Sequence, residues 1–347
     1  MAEVNSSTQM MSKLPVINTD AFSHHLRDRA IDVPNRRVLI TRFTGSQEER
    51  DFSVPSNCDG FGRVHHFKRY QGEGWQTNPL PIDPAAHALG INAPDIMEAQ
   101  VFQNAVCNWR CWYCFVDFEL LAGDRRYSEF MTSEELLDLY RKESNAPSVI
   151  DLSGGQPDLV PEWSWWFLRE LDKGQESRNI YLWSDDNLSN DYLWRYLDTA
   201  QIRNLATSRH YGRVGCFKGF DEESFSFNTK AAPELFDRQF QLMKRIVQAD
   251  FDVYGYATFT ATTNEKLHVR MEHFVDRLQG IHPLFPLRTV PLRVTAYSPT
   301  EKRLDSAKAK ALEIQNEAAA AWDEELRTRF DEATLKQPIT AHRINEH

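Results

Sequence analysis

Cys107, Cys111 and Cys114 crowd into the octet Cys-Asn-Trp-Arg-Cys-Trp-Tyr-Cys, a C-x3-C-x2-C spacing, in a chain of 347 residues with five cysteines. Three thiolates on one short loop can bind three corners of a cubane iron–sulfur cluster, for which thiolate is the usual ligand. No fourth cysteine lies nearby, since the other two are Cys58 and Cys216. One iron would then have no protein ligand and stay open to an exogenous chelator, much as a catalytic zinc site keeps a position vacant. Zinc is the competing reading. It would want a fourth Cys or His at short spacing, and the nearest downstream histidine is His210.

Three further segments carry side chains suited to a ligand. In Ser153-Gly154-Gly155-Gln156-Pro157 the glycines let the backbone approach a bound group closely; an ordinary strand-to-helix turn would look the same. Ser184-Asp185-Asp186-Asn187 offers hydroxyl and carboxylate groups, or a turn and a helix cap. Cys216-Phe217-Lys218 offers a cation, with Cys216 read as a packed core thiol. Thr258, Thr260, Arg293 and Val294 lie near later strand ends. His65 and His66 are adjacent and cannot both face one way on a strand, so they are read as surface or core histidines rather than a metal pair. Trp75, Asn78 and Asp83 are candidates by location alone.

The elements that must position these residues follow from periodicity and caps. Residues 1–14 are polar and read as a mobile tail, 37–41 as a short strand, and 52–84 as long ordered loops rich in Gly, Pro, Asn and Asp. From 97 onward the pattern is regular. Strands are expected at 97–103, 148–152, 179–183, 213–217, 251–259 and 289–294. Helices are expected from the Thr132/Glu135 capping box, from Pro161, over 191–197, over 233–249 and over 265–278, with a long, broken terminal helix over 301–330. Strands alternating with helices imply parallel βαβ units. Six strands are too few for a closed eight-stranded barrel, which leaves a curved, partly open barrel or an open doubly wound sheet. In either, a ligand sits at the carboxyl ends of the strands, where the candidate segments fall.

Composition excludes several classes. Hydrophobic residues make up 41% and aromatic residues 12%, too many for a disordered chain. A formal charge of −10 argues against binding a nucleic-acid backbone, which would need a basic face. No apolar run approaches the roughly 18 residues of a membrane span, and no secretory signal pattern opens the sequence. An odd cysteine count does not suggest a disulfide scaffold. The expectation is a cytoplasmic globular protein.

The cysteine loop has an aromatic residue, Tyr113, before its last cysteine and follows the first strand of a βα array. It resembles the signature loop of the radical S-adenosylmethionine (radical SAM) superfamily, and the resemblance spans roughly residues 98–300. It implies an α/β fold: a partial (β/α)6 barrel over 96–300, an irregular N-terminal extension over 1–95 acting as a lid or substrate-binding layer, and a C-terminal helical segment and tail over 301–347. It implies a 4Fe-4S cluster on Cys107, Cys111 and Cys114. S-adenosyl-L-methionine would chelate the open iron and be cleaved to a 5′-deoxyadenosyl radical that abstracts a substrate hydrogen, with the protein supplying orientation and exclusion of water. Carried over by position, Tyr113, Ser153, Gly154, Gly155, Gln156, Ser184, Asp185 and Lys218 become cofactor-binding residues. Gln156 stands where the family has Glu to receive the amino group, so it offers no charge assistance. Ser184 or Asp185 would meet the ribose, and Lys218 a carboxylate. Cys216 replaces the acid of the D-x-K segment found in the pyruvate formate-lyase activating branch. Five cysteines leave too few ligands for auxiliary clusters. The expected partners are an electron donor such as flavodoxin or ferredoxin and a small-molecule, nucleotide or peptide substrate. The alternatives are an activase that places a glycyl radical on a partner protein and a non-catalytic iron–sulfur sensor.

Overall fold

The computed structural model describes residues 16–51, 54–174 and 178–344, so the tail read over 1–14 lies outside the described residues. The chain begins with α1 (Thr19–Ala30), capped by the Asn18 side chain, and a hairpin of β1 (Ile31–Asp32) and β2 (Arg37–Thr41). β3 (Gly62–Lys68), α2 (Ile82–Leu89) and β4 (Ile96–Gln103) follow. The cysteine loop leads to β5 (Ser128–Thr132), which pairs with β2, and to α3 (Ser133–Tyr140). The capping box expected at the start of α3 is formed: Glu135 N–H donates to Thr132 Oγ1 at 3.1 Å, and Thr132 N–H to Glu135 Oε2 at 2.7 Å.

The alternation then runs β6 (Val149–Ser153), α4 (Glu162–Lys173), β7 (Tyr181–Asp186), α5 (Tyr192–Tyr196), α6 (Thr199–Thr207), β8 (Tyr211–Phe217), α7 (Glu222–Thr229), α8 (Leu235–Gln248), β9 (Val253–Thr258), α9 (Leu267–Gln279) and β10 (Thr289–Leu292). It closes with α10 (Ser298–Glu301), α11 (Ser306–Arg329) and α12 (Glu332–Leu335). The terminal helix is broken, as expected, because Asp305 caps a new start by accepting from Lys308 N–H at 2.9 Å.

The main sheet has seven strands in the order β10-β9-β8-β7-β6-β4-β3. From β4 to β10 every neighbouring pair is parallel and the strands follow chain order, while β3 is antiparallel on the β4 edge. Right-handed crossovers that all step the same way put the helices joining the parallel strands on one face, which excludes a doubly wound sheet and curls this one into an open half-barrel. The two faces have separate cores. Phe102, Ile150, Leu152, Leu182 and Phe217 pack outward with helix residues such as Phe167, Phe236 and Phe274. Val149, Tyr181, Trp183, Val214, Tyr254 and Tyr256 line the concave inner face, where Ile82, Ala85 and Ala86 of α2 fill the hollow.

The segment 52–84, expected as loops, contains β3 and the start of α2. The Arg63–Phe67 run becomes a strand because β4 offers it a free edge, which local composition cannot reveal. After β3 the chain crosses from that edge of the half-barrel to the other. Gln71 Nε2 donates to Pro291 O at 3.1 Å, and its Oε1 accepts from Arg293 N–H at 3.2 Å. Trp75 Nε1 donates to Asn316 on α11 at 3.0 Å, and Gln76 Nε2 to Asp323 at 3.1 Å. Glycine is required at Gly72, where φ is +124° and a Cβ would sit 1.5 Å from Arg293 Nη1. Residues 69–78 thus strap the open side. Among the described residues no helix is long and apolar enough to cross a membrane.

Candidate functional site

The cysteine loop leaves the carboxyl end of β4 and is held by the residues between its cysteines. Trp109 Nε1 donates to Thr19 Oγ1 on α1 at 3.0 Å, and Trp112 Nε1 to Asn228 Oδ1 on α7 at 2.9 Å. Asn108 Nδ2 reaches Ser23 and Ser189 at 2.8 Å each, and its Oδ1 accepts from Asn187 at 2.9 Å. Arg303 donates to Cys114 O at 2.6 Å and Val116 O at 2.9 Å. The indoles are buried, while Cys107, Cys111 and Cys114 are only half-buried and in no disulfide. Sequence reasoning missed these anchors; the signal was the run of large side chains at every non-cysteine position.

Burial pushes the Cys111 thiol up to about 12 and the Cys114 thiol to about 11. Lys218 sits among them. Its burial pulls against the charge, yet Cys216, Tyr113, Cys111 and Cys107 raise its pKa well above the ordinary lysine value. Tyr113 accepts a hydrogen bond from Thr258 at 3.0 Å. The structure therefore gathers Cys107, Cys111, Tyr113, Cys216 and Lys218 in one place. Among the described residues no three His, Cys, Asp or Glu side chains converge on a single metal ion. Ligands to a cubane each meet a different iron and need not converge.

Gly154 and Gly155 both have φ +62°, and a Cβ on Gly155 would stand 2.2 Å from Asn104 O and 2.5 Å from Val106 O. Glycine at Gly155 thus lets the turn after β6 lie against the start of the cysteine loop. Ser153 Oγ donates to Asp185 Oδ2 at 2.6 Å. Gln156 is buried and its amide is committed: Nε2 donates to Asp186 Oδ1 at 2.8 Å, and Oε1 accepts from Asn187 N–H at 2.8 Å. Asp186 also accepts from Leu188 N–H at 2.8 Å and from Arg213 at 3.2 Å, and Arg213 donates to Asp158 at 2.6 Å. A Glu at 156 would face Asp186 with no proton to share, so the amide fits its neighbour.

Strand parity separates the two ribose candidates. Ser184 is fully buried on the helix side, 2.7 Å from Tyr211 Oη, whereas Asp185 points to the inner face. Ser184 therefore stands away from the hollow. Of the weaker candidates, Thr260 bonds Asn228 at 2.8 Å and Arg293 bonds Gln71 O at 2.9 Å. Val294 N–H bonds Gln315 at 3.0 Å. Asn78 and Asp83 serve the strap region, bonding Tyr256 at 3.2 Å and Arg69 at 2.6 Å. His65 packs edge-on to Phe67, and His66 lies 3.2 Å from Glu98.

No protein-family model matches the sequence, and no curated protein matches it. Among solved structures the chain is similar to Streptococcus suis SuiB bound to S-adenosylmethionine, at 17% identity and a TM-score of 0.37. It is similar to SuiB bound to the precursor peptide SuiA at 16% and 0.36, and to SuiB alone at 17% and 0.36. The matches cover 51%, 51% and 52% of this chain and 36% of the SuiB chain in each case. A likeness this distant does not bear on what the chain binds.

Proposed function

We propose that the chain is a radical SAM enzyme that acts on a small molecule. One observation carries this reading. A C-x3-C-x2-C loop, anchored by the side chains between its cysteines, projects three free thiols at the carboxyl end of a parallel half-barrel, beside the half-buried Lys218.

The donor set fits the group. Three half-buried thiols around the Lys218 ammonium form a cradle whose cation would offset an anionic, thiolate-ligated cluster. Cys107, Cys111 and Cys114 would hold the 4Fe-4S cluster. With S-adenosyl-L-methionine bound there, the cluster would supply one electron to split the sulfonium into methionine and a 5′-deoxyadenosyl radical able to take a hydrogen atom from a substrate. The chain's own work is placement. Ser153, Gly154 and Gly155 would present backbone to the methionine part. Gln156 keeps that turn in register through Asp186 and Asn187, and its second carbonyl lone pair would face the amino group. Asp185 is the ribose residue on the inner face, Lys218 the carboxylate partner, and Tyr113 a wall of the pocket. Ser184 would act only by fixing β7 through Tyr211.

The strap over 69–78 favours a small molecule over a partner protein. It ties the two sheet edges together and narrows the side by which a polypeptide would enter. A flavodoxin- or ferredoxin-type protein would deliver the electron. The test is anaerobic reconstitution with iron and sulfide, reduction, incubation with S-adenosyl-L-methionine, and chromatography for 5′-deoxyadenosine. Its formation is expected. A zinc-loaded loop with no cluster would overturn the reading.

A further inference from the structure

We infer that the inner face of the half-barrel binds a small molecule through a cationic nitrogen group, an ammonium or guanidinium, seated on Asp151 beside Asp185. It rests on the proposed function only in calling that molecule the substrate. β6 alternates, so Ile150 and Leu152 join the outer core while Val149, Asp151 and Ser153 face the hollow. The register puts Asp151 between Val101 of β4 and Trp183 of β7, one turn of the pleat below Ser153, which donates to Asp185. Asp151 is only 3% exposed, and its Oδ1 has no hydrogen-bond partner among the described residues. A buried acceptor left unmatched is costly, and a native fold retains it for a reason.

The surroundings indicate what would match it. Facing Asp151 are the Asp185 carboxylate from β7 and Arg63 from β3; Cys216 of β8, Lys218 just after β8 and Tyr256 of β9 adjoin Asp185. Both cations have other neighbours: Arg63 spreads over the rings of Phe43 and Phe115, and Lys218 lies among the thiols. Burial and the Asp185 charge push the Asp151 pKa well up, against a smaller pull from Arg63. A cation seated there would favour the carboxylate over the acid, so its binding is coupled to loss of a proton. Buried acids on the other face of the sheet are treated differently, because Asp158 and Asp186 share the built-in cation Arg213. With α2 filling the hollow from below and the strap crossing its side, a ligand of Asp151 would have to be small.

The test is calorimetric titration of the cluster-reconstituted protein with agmatine and n-butylammonium, and with neutral n-butylurea, in two buffers of different ionisation enthalpy. The cations should bind about tenfold or more tightly than butylurea and release protons on binding. Asp151→Asn should remove both the preference and the proton release, with the thermal midpoint retained. Asp185→Asn, which should weaken the cations severalfold, serves if Asp151→Asn does not fold. Equal affinity for the cations and butylurea, no binding of either cation at millimolar concentration, or unchanged binding in Asp151→Asn would each overturn the inference and leave an ordered water as the partner of Oδ1. Cation binding without 5′-deoxyadenosine formation in the same preparation would sink the proposed reaction and leave this site standing; the converse result would sink only the site.

Discussion

The two faces of one sheet handle buried charge in opposite ways. On the helix side, Asp158 and Asp186 are clamped by Arg213, and Gln156 completes the set with a neutral amide, so both oxygens of Asp186 have partners. On the hollow side, Asp151 keeps an unmatched oxygen and Asp185 has a serine hydroxyl. Consecutive residues of β7 make the contrast at its sharpest, with Ser184 and Asp186 turned to the helices and Asp185 between them turned inward. A carboxylate with both oxygens matched, as in Asp186, holds loops in place. A polar group left open next to a chemically equipped loop is where a ligand belongs.

The largest effect expected is at the loop that both faces serve. Cys111→Ala should abolish cluster assembly, read as iron bound after reconstitution, and with it all 5′-deoxyadenosine. Next, Arg213→Ala should cost about 3–5 kcal/mol in urea unfolding, because it strands two buried carboxylates. Gln156→Glu should cost about 1–3 kcal/mol and weaken S-adenosyl-L-methionine binding, by placing a second carboxylate against Asp186. Adding Asp186→Asn should recover at least half of both losses; no recovery would mean that the amide is not matched to Asp186. On the inner face the sign reverses: Asp151→Asn should leave stability unchanged or raise it by about 1 kcal/mol, since nothing is bonded to the oxygen it alters.

The smallest effect concerns His65. Burial, aided by Arg63, His66 and Lys68, pushes its pKa down to about 3, so the fold favours the neutral ring. That stability is complete above the unfolded value near 6.5 and is lost as pH falls from there toward 3. The wild-type urea midpoint should drop between those values, and that of His65→Gln should drop less.

What could be read from the sequence was whatever is local. The C-x3-C-x2-C loop carries its chemistry in its spacing, and the parallel strands β4 and β6 to β10 announce themselves as apolar runs separated by amphipathic helices, whereas β5 does not. Strand phase was not readable, because a sheet buried on both faces has no polar side to mark it, and so Ser184 and Asp185 could not be told apart. Gln156 looked like a weakened ligand because its partner Asp186 comes 30 residues later. α1 and β3 were missed because each forms against something distant: α1 under Trp109, β3 along the edge of β4.

The strap has a consequence for how the molecule is made. Gln71 precedes its partner Pro291 by 220 residues, and Trp75 precedes Asn316 by 241. A chain leaving the ribosome exposes the strap long before β10 and α11 exist, so the hollow can be closed only after synthesis has passed Asn316. Until then the inner face stays open along one side, and the nascent half-barrel offers a freer route to the cysteine loop than the finished protein does.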